Sequence, residues 1–284
     1  MAALTLNHAL FARAAKAAAA TARVAATAPA LSGAGWGFAL DSPALAVLLA
    51  LVAAIAVGAL VAIRPRATDG ASLPSVKSVA LLTRSRRSIF PKDYSGAKVP
   101  REAVQRALEA ANWAPTHGKT EPWRFVVFEG AAAITRLLAL KREGITTMVA
   151  VKAQSGALEK AAMKEKELHK CSLIIAICCK RVANAKGTLM PEWEEQAACA
   201  CAVQNLHLSL HAEGYVGYWS SGGVGGGWAD APVVRDFLGM DGECLGATDT
   251  VLGFFHVGVA PPKTVASYKA RRGPLADKVR WIAD

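Results

Sequence analysis

Residues 191–213 read PEWEEQAACACAVQNLHLSLHAE, a proline and three acidic residues followed by an almost unbroken apolar run. Proline is favoured in the first turn of a helix, and acidic residues there interact well with the positive end of the helix dipole. The sequence therefore predicts a long helix over residues 192–213. Because the middle of this helix is apolar nearly all round, we expect it to be the core helix of the fold.

Three strands and two further helices are predicted around this core helix. Segments 124–129, 173–179 and 252–259 are short runs rich in β-branched, aromatic and other apolar residues, as strands are. Two of the three are almost continuously apolar, which is typical of a sheet covered on both faces. Residues 100–112 place apolar side chains along one helical face, and residues 158–170 predict a charged helix that faces solvent.

The chain before residue 76 divides into three segments of different composition. Residues 43–63 carry no charge and, at about 21 residues, are long enough to cross a hydrocarbon core roughly 30 Å thick. They predict a single transmembrane helix, with a buried helix of a globular domain as the alternative. Residues 1–42 are rich in alanine, as in a targeting peptide or an unstructured tail. Residues 64–75 are rich in proline, glycine and serine, as in a linker to a domain over 76–284.

The charges that flank the apolar segment predict its orientation. Arg64 and Arg66 follow it directly, and Asp41 precedes it. By the positive-inside tendency, the domain after the linker is expected on the cytosolic, stromal or matrix side of a membrane. We therefore expect a single-pass membrane protein. The basic, alanine-rich N-terminal segment also allows an organelle such as a plastid or mitochondrion.

Charge and cysteine spacing argue against several classes of protein. The formal net charge is +11, but the basic residues are scattered and no basic run alternates with aromatic residues, so nucleic-acid binding is not expected. The six cysteines form no CxxC pair, which argues against a zinc knuckle or a thioredoxin-type site and favours a reducing compartment. His207 and His211 lie one helical turn apart, but without an evident third ligand we expect packed histidines and no metal site.

One segment imitates a phosphate-binding loop, and another has the chemistry to bind phosphate. Residues 114–125 read APTHGKTEPWRF and contain the Gly-Lys-Thr with which a P-loop ends. Trp113 stands where that loop needs its first glycine, and Pro115 lacks an N–H, so a nucleoside triphosphatase is not expected. Residues 84–88, RSRRS, combine three guanidinium groups with hydroxyls that match phosphate oxygens, with a solvated charge run as the alternative.

Two further segments contain residues that bear on ligand binding. Lys269, Arg271 and Arg272 form a second basic group near the C-terminus. Residues 220–228, SSGGVGGGW, contain no GxGxxG pattern, so a Rossmann dinucleotide site is not expected. Their glycines instead allow the backbone to come close to a flat ligand.

Four segments in this order resemble the nitroreductase family of FMN-dependent oxidoreductases. They are RRS at 86–88, APTHGKTEPWRFVVFEG at 114–130, the segment 191–222 that begins with the core helix, and GFFHVGV at 253–259. The resemblance implies an α+β nitroreductase-like fold with a central mixed sheet covered by helices on both faces. It also implies a homodimer with two FMN sites at its interface. NADH or NADPH would reduce the flavin and leave, and a small electron-poor molecule such as a nitroaromatic or a quinone would then take the electrons.

The resemblance assigns ligand-binding roles by position, and none of them is that of a catalytic side chain, because FMN carries the chemistry. The residues expected to bind the FMN phosphate and ribityl chain are Arg86, Arg87 and Ser88, together with Arg271 or Arg272. The residues expected beside the flavin ring are Trp113, His117, Trp219, Ser220 and Ser221. The residues expected where NAD(P)H approaches are Ser209, Leu210, His211, Ala212, Glu213 and Gly214.

Two departures from the family pattern leave the cofactor preference open, and two other functions are kept as alternatives. Ser220 stands where similar enzymes have arginine and Trp113 where they have a cationic residue, so the choice between NADH and NADPH does not follow. The Thr-Glu-Pro-Trp at 120–123 is shared with membrane-anchored reductive dehalogenases of the same fold. Residues 130–170, however, lack the tyrosine and Glu-Lys-Tyr elements expected of their lid. The other alternative is a non-catalytic, membrane-tethered binding protein.

Overall fold

A computed structural model describes residues 73–283, which form an α+β fold around one central sheet. The strands are β1 Trp123–Glu129, β2 Leu173–Cys179, β3 Val216–Ser220, β4 Glu243–Cys244, β5 Ala247–Thr248 and β6 Thr250–Gly258. The α-helices are α1 Val76–Ser85, α2 Arg101–Ala111, α3 Gly130–Met148, α4 Val151–Leu168, α5 Glu192–Ala212, α6 Pro232–Phe237 and α7 Pro262–Ser267. Short 3-10 turns occupy Pro91–Asp93, His117–Lys119, Trp228–Asp230 and Ala276–Lys278.

The central sheet has the strand order β1-β2-β6-β3, and each neighbouring pair is antiparallel. A parallel bridge between Ser88 and Gly217 extends it beyond β3, so the sheet is mixed, as the resemblance implied. All seven residues of β2 are buried. Their side chains alternate between two apolar clusters: Ile174 and Ala176 pack with α3 on one face, and Ile175 and Ile177 pack with α2 and α5 on the other. The predicted cover on both faces is confirmed.

The core helix α5 ends within one residue of its predicted boundary. It begins after Pro191, carries three glutamates in its first turn, and buries residues from Glu195 to Leu210. Helix α2 packs against it on the same face of the sheet. The sequence did not predict α1, α3 or the edge strand β3. Helix α4 begins at Val151, seven residues before the predicted start at residue 158.

The predicted membrane location is corrected. Among residues 73–283 no helix combines the length and the apolar character of a membrane span. The two longest helices in this range, α3 and α5, carry charged residues such as Lys141 and Glu194. The predicted transmembrane segment 43–63 lies outside the described residues, as do residues 1–42 and most of the predicted linker. The described part of the chain therefore does not support the predicted single-pass membrane location.

A buried ion pair fixes the start of α5 to the chain that leaves β2. Arg181 and Glu195 form this pair, and their side chains are only 6% and 2% exposed. Arg181 also donates from Nη2 to the carbonyl of Met190 at 2.9 Å, and its backbone N–H donates to Asp249 Oδ1 at 2.7 Å. Burial raises the pKa of Glu195 although the charge of Arg181 favours its ionised form. The pair therefore acts as a positional constraint, since its desolvation offsets much of its attraction.

We expect Glu195→Gln to destabilise the fold by about 3–5 kcal/mol, because it leaves the charge of Arg181 buried without a partner. Chemical denaturation followed by circular dichroism measures the free energy of unfolding. The matched control is Glu129→Gln, which removes the same charge from an ion pair with Arg101, whose side chain is 78% exposed. The control should leave stability nearly unchanged. Equal losses in the two variants would contradict the role of the buried pair.

Candidate functional site

The arginines of the RSRRS segment lie where α1 meets the edge of the sheet. Helix α1 ends at Ser85, and the backbone N–H of Arg86 caps it by donating to the carbonyl of Leu82 at 3.3 Å. The chain then pairs with β3: Ser88 bridges Gly217, and the N–H of Ile89 donates to the carbonyl of Gly217 at 3.2 Å. The sheet edge therefore holds the backbone of this segment, and its guanidinium groups lie beside β3.

These arginines are held by neutral acceptors. Arg87 donates from Nε to the carbonyl of Tyr268 at 2.9 Å, and from Nη1 to the carbonyls of Arg84 at 2.5 Å and Arg86 at 2.8 Å. Arg86 Nη1 lies 3.5 Å from Ser88 Oγ. Within residues 73–283 no carboxylate forms an ion pair with Arg84, Arg86 or Arg87. The group is therefore a cationic cluster suited to an anion with several oxygens, such as a phosphate.

The C-terminal segment adds a further positive charge to this cluster. The pKa of Arg86 is lowered by burial first, and then by the charges of Arg272 and Arg87. Arg272 is thus close enough to Arg86 to act on it electrostatically, whereas Arg271 is not among the causes. Both side chains are exposed. Of the two arginines that the sequence could not separate, only Arg272 is among the causes that lower the pKa of Arg86.

Trp219, Ser220 and Ser221 lie at the end of β3 away from the arginines. Trp219 donates from Nε1 to the carbonyl of Leu252 at 3.1 Å, and Ser220 Oγ accepts from the N–H of Gly222 at 3.2 Å. From Gly217, beside the cationic cluster, to Ser221 the chain advances about 13 Å at roughly 3.4 Å per residue. The cluster and these three residues thus follow one edge strand, as an elongated ligand with a phosphate at one end requires.

The segment assigned to NAD(P)H approach forms the last turn of α5 and the turn after it. His211 Nε2 lies 2.8 Å from Ser85 Oγ, and its pKa is lowered by burial and then by Arg86 and Arg87. Leu210 is fully buried, so its side chain is not free to meet a ligand, whereas Glu213 is exposed and forms an ion pair with Arg106. The residues of this segment that remain partly or fully accessible are Ser209, His211, Ala212, Glu213 and Gly214.

Trp113 and His117 lie in a different part of the chain. His117 forms a contact of 2.5 Å from Nδ1 to Oε2 of Glu194, in the first turn of α5. The pair borders a cavity of about 460 Å³ whose other lining residues are Pro115, Thr116, Trp193, Ala197, Ala198 and Cys201. Trp113 is 87% exposed at the end of α2. Gly118, Lys119 and Glu121 all have positive φ, which gives this loop a strained shape that its packing must maintain.

Within one chain, the residue that contacts His117 and the residue that contacts Arg86 are far apart. Glu194, beside His117, and His207, beside Arg86, are both on α5. They are separated by 13 residues, or about 20 Å at 1.5 Å per residue. The structure thus places the backbone of Arg86, Arg87 and Ser88 beside the start of β3 and residues 219–221 at its end, and it places His117 beside Glu194.

The sequence did not predict two contacts with the candidate site residues, those of His207 with Arg86 and of Glu194 with His117. His207 was predicted to be a packed histidine, which is confirmed by its edge-to-face contact with Phe255 at 5.0 Å, but it also contacts Arg86. Glu194 was assigned only to the start of the helix. Its position in the first turn gave no sign of its partner, which is 77 residues away in the sequence. Within the described residues, no three His, Cys, Asp or Glu side chains are grouped as a metal site requires.

Comparison with known proteins finds a family whose model matches most of the described chain. The family model described as "Nitroreductase family" matches residues 83–259. The Escherichia coli (strain K12) protein named "Putative NAD(P)H nitroreductase YdjA" is 30% identical over 166 residues, which are 58% of this chain and 80% of that protein.

Two solved structures share the fold. The Bacillus cereus nitroreductase-like family protein has a TM-score of 0.55 and 19% identity, covering 75% of this chain and 100% of its own. The FMN-dependent nitroreductase NfnB from Mycobacterium smegmatis, solved in complex with NADPH, has a TM-score of 0.53 and 17% identity. It covers 73% of this chain and 99% of its own.

We expect Gly217→Ala to destabilise the chain by about 1–3 kcal/mol through overpacking. An added Cβ would lie 2.4 Å from Cζ of Phe255, which is fully buried and cannot move aside. Urea denaturation checks this value. Gly156→Ala is the control, because Gly156 lies in α4 with open space around it. That change should stabilise the chain by up to about 1 kcal/mol. A neutral Gly217→Ala would show that the ring of Phe255 can shift to make room for the added methyl group.

Proposed function

The chain belongs to the nitroreductase family, and on that premise we propose how its own residues carry out the family reaction. The protein is an FMN-dependent oxidoreductase that takes its electrons from NADH or NADPH. When bound, FMN accepts a hydride from the nicotinamide and passes the electrons to an oxidised organic substrate. The observation that supports the site is the cationic cluster of Arg86, Arg87 and Arg272, which has no carboxylate partner among the described residues.

The residues beside β3 fit the parts of FMN in order. The arginine cluster and Ser88 would bind the phosphate, with guanidinium groups donating in pairs to its oxygens. Ser220, Ser221 and the glycine-rich loop after them would lie alongside the ring system, where small residues allow close approach. Gly253 has φ +128°, and a Cβ there would lie 2.4 Å from the carbonyl of Ser220, so the chain is tightly packed under this part of the site. Trp219 would border the same region.

We also propose that a second copy of the chain completes the site. His117 and Trp113 are assigned to the flavin by the same resemblance as Arg86. His117 nevertheless contacts Glu194 near the opposite end of α5 from His207, and Trp113 is exposed just after α2. A homodimer in which the His117 loop of one chain faces β3 of the other would unite the two groups, and two-fold symmetry would generate two such sites. The pair formed by His117 and Glu194, and the cavity beside it, would then border the space above the ring.

The substrate class follows from the same open arrangement. A site shared between two chains and bordered by Trp113, Trp193 and Trp219 suits flat, electron-poor molecules, for which nitroaromatics and quinones are the first to test. After hydride transfer such a substrate needs a proton, and the exposed imidazole of His117, held by Glu194, is a group that could supply one at this position. The reaction is expected to be ping-pong, with the nicotinamide leaving before the substrate enters.

We expect the purified protein to be yellow or to become so when FMN is added. Arg86→Ala should weaken FMN binding about ten- to a hundred-fold, because a hydrogen bond to a charged group contributes roughly 1.5–3 kcal/mol. Quenching of flavin fluorescence measures the affinity. Arg272→Ala should weaken it as well, and Arg271→Ala is the matched control with a smaller effect. A colourless protein that takes up no FMN would refute the proposed function and leave a non-catalytic binding role.

Mixing two inactive variants tests the shared site. One chain carries Arg86→Glu and the other carries Trp113→Ala with His117→Ala, and each variant alone should bind FMN weakly. Random pairing makes half of the dimers mixed, and each mixed dimer has one of its two sites intact, so about a quarter of wild-type NADPH oxidation with a quinone should return. The same variants mixed after pairing is complete serve as the control. No recovery in the co-expressed mixture would mean that each site belongs to a single chain.

A further inference from the structure

Arg86 has one side-chain acceptor on α5, and that acceptor is an imidazole. Nη1 of Arg86 lies 3.4 Å from Nδ1 of His207. A guanidinium group only donates hydrogen bonds, so His207 accepts through the Nδ1 lone pair. The His207 side chain is buried, with its ring edge-to-face against Phe255 and next to Gly217. Its position is therefore fixed by the core of the fold, and through it the position of Arg86 is fixed as well.

His207 is neutral at physiological pH. Burial, reinforced by the charge of Arg86, lowers the pKa of His207 to about 3, against the opposing effect of a hydrogen bond with the backbone of Arg87. His211, one turn further along α5, also has a lowered pKa, for which burial, Arg86 and Arg87 are the causes. The lone pair that accepts from Arg86 is consequently available throughout the physiological range.

A neutral acceptor differs from a carboxylate because it leaves the positive charge of the arginine available to a ligand. Other arginines of this chain, such as Arg101, Arg106 and Arg142, are paired with glutamates that cancel their charge. An imidazole fixes the direction of the guanidinium group without cancelling its charge. The other acceptor beside Arg86, Ser88 Oγ, is likewise uncharged. Arg86 is thus oriented by uncharged groups and keeps its full charge.

We propose that His207 is a positioning residue for phosphate recognition: it orients Arg86 from the core and leaves the charge of Arg86 for the FMN phosphate. This inference rests on the proposed function and deepens it, because it assigns a purpose to a buried polar residue on the core helix. It also separates the two parts of the cofactor, since the phosphate depends on His207 and the ring system does not.

The test compares FMN with riboflavin, which has the same ring and ribityl chain but no phosphate. His207→Phe keeps an aromatic ring against Phe255 and removes the acceptor. We expect it to weaken FMN binding about ten-fold, as the loss of one oriented charged hydrogen bond implies, and to leave riboflavin affinity within about two-fold. His207→Asn, whose amide oxygen can replace Nδ1 as an acceptor, should restore most of the FMN affinity. Thermal melts establish that each variant is folded.

A second variant keeps the test decisive if the phenylalanine variant does not fold. His207→Glu supplies an acceptor that cancels the charge of Arg86, so FMN affinity should fall at least ten-fold although a hydrogen bond to Arg86 is retained. Equal losses of FMN and riboflavin affinity in the folded variants, or FMN affinity unchanged in His207→Glu, would overturn the positioning role. Failure of the wild-type protein to bind either flavin would instead refute the proposed function, so the two failures are distinguishable.

Discussion

Burial of α5 against the central sheet is the constraint on which the rest of this structure depends. The helix is apolar on most of its circumference, and Cys199 and Leu210 are completely buried between the sheet and α2. A helix so enclosed cannot slide or rotate without exposing apolar surface, so everything attached to it has a fixed position. Glu194 and Glu195 near its start anchor the His117 loop and the chain after β2. His207 and His211 near its end contact Arg86 and Ser85.

The same helix is the reason why we propose that a second chain completes the site. The separation between Glu194 and His207 is set by the rise of an α-helix, and no rearrangement of side chains closes a gap of about 20 Å. Residues that share a ligand but are fixed to opposite ends of a rigid element must be joined by another copy or by a large rearrangement of the fold. The close packing of β2 and α5 makes the rearrangement costly. A symmetric dimer requires only that two existing surfaces meet.

Much of the fold was readable from the sequence because it depends on local pattern. The α5 boundaries follow from proline, acidic residues and an apolar run, and β2 matched its predicted range because its residues are all buried and apolar. Helix α3 was missed because its start carries none of the usual signals: Glu129 makes no capping hydrogen bond and the first turn has no acidic residue. Strand β3 has only five residues and runs directly into the serine- and glycine-rich segment 220–228, so its identity as a strand comes from pairing with β6.

The candidate site was less readable, because its contacts join residues far apart in the sequence. Resemblance selected Arg86, Arg87 and Ser88, but only the structure relates Arg86 to Arg272, whose charge lowers the pKa of Arg86. The structure also shows two facts that spacing could not show. In the proposed nicotinamide segment, Leu210 is buried in the core and Glu213 forms an ion pair with Arg106. His207 appeared as a packed residue because burial and periodicity are visible in a sequence, whereas its partner on another helix is not.

The cationic cluster shows how the fold stabilises like charges without neutralising them. Placing several arginines together costs repulsion, which carboxylates would relieve, but carboxylates would also compete with an anionic ligand. The chain uses oriented dipoles instead. Arg86 caps the C-terminus of α1, where the helix dipole is negative, and Arg87 donates to three backbone carbonyls. The imidazole of His207 adds a side-chain dipole from the core. Dipoles relieve part of the repulsion and fix direction, and because they carry no net charge the attraction for a phosphate remains.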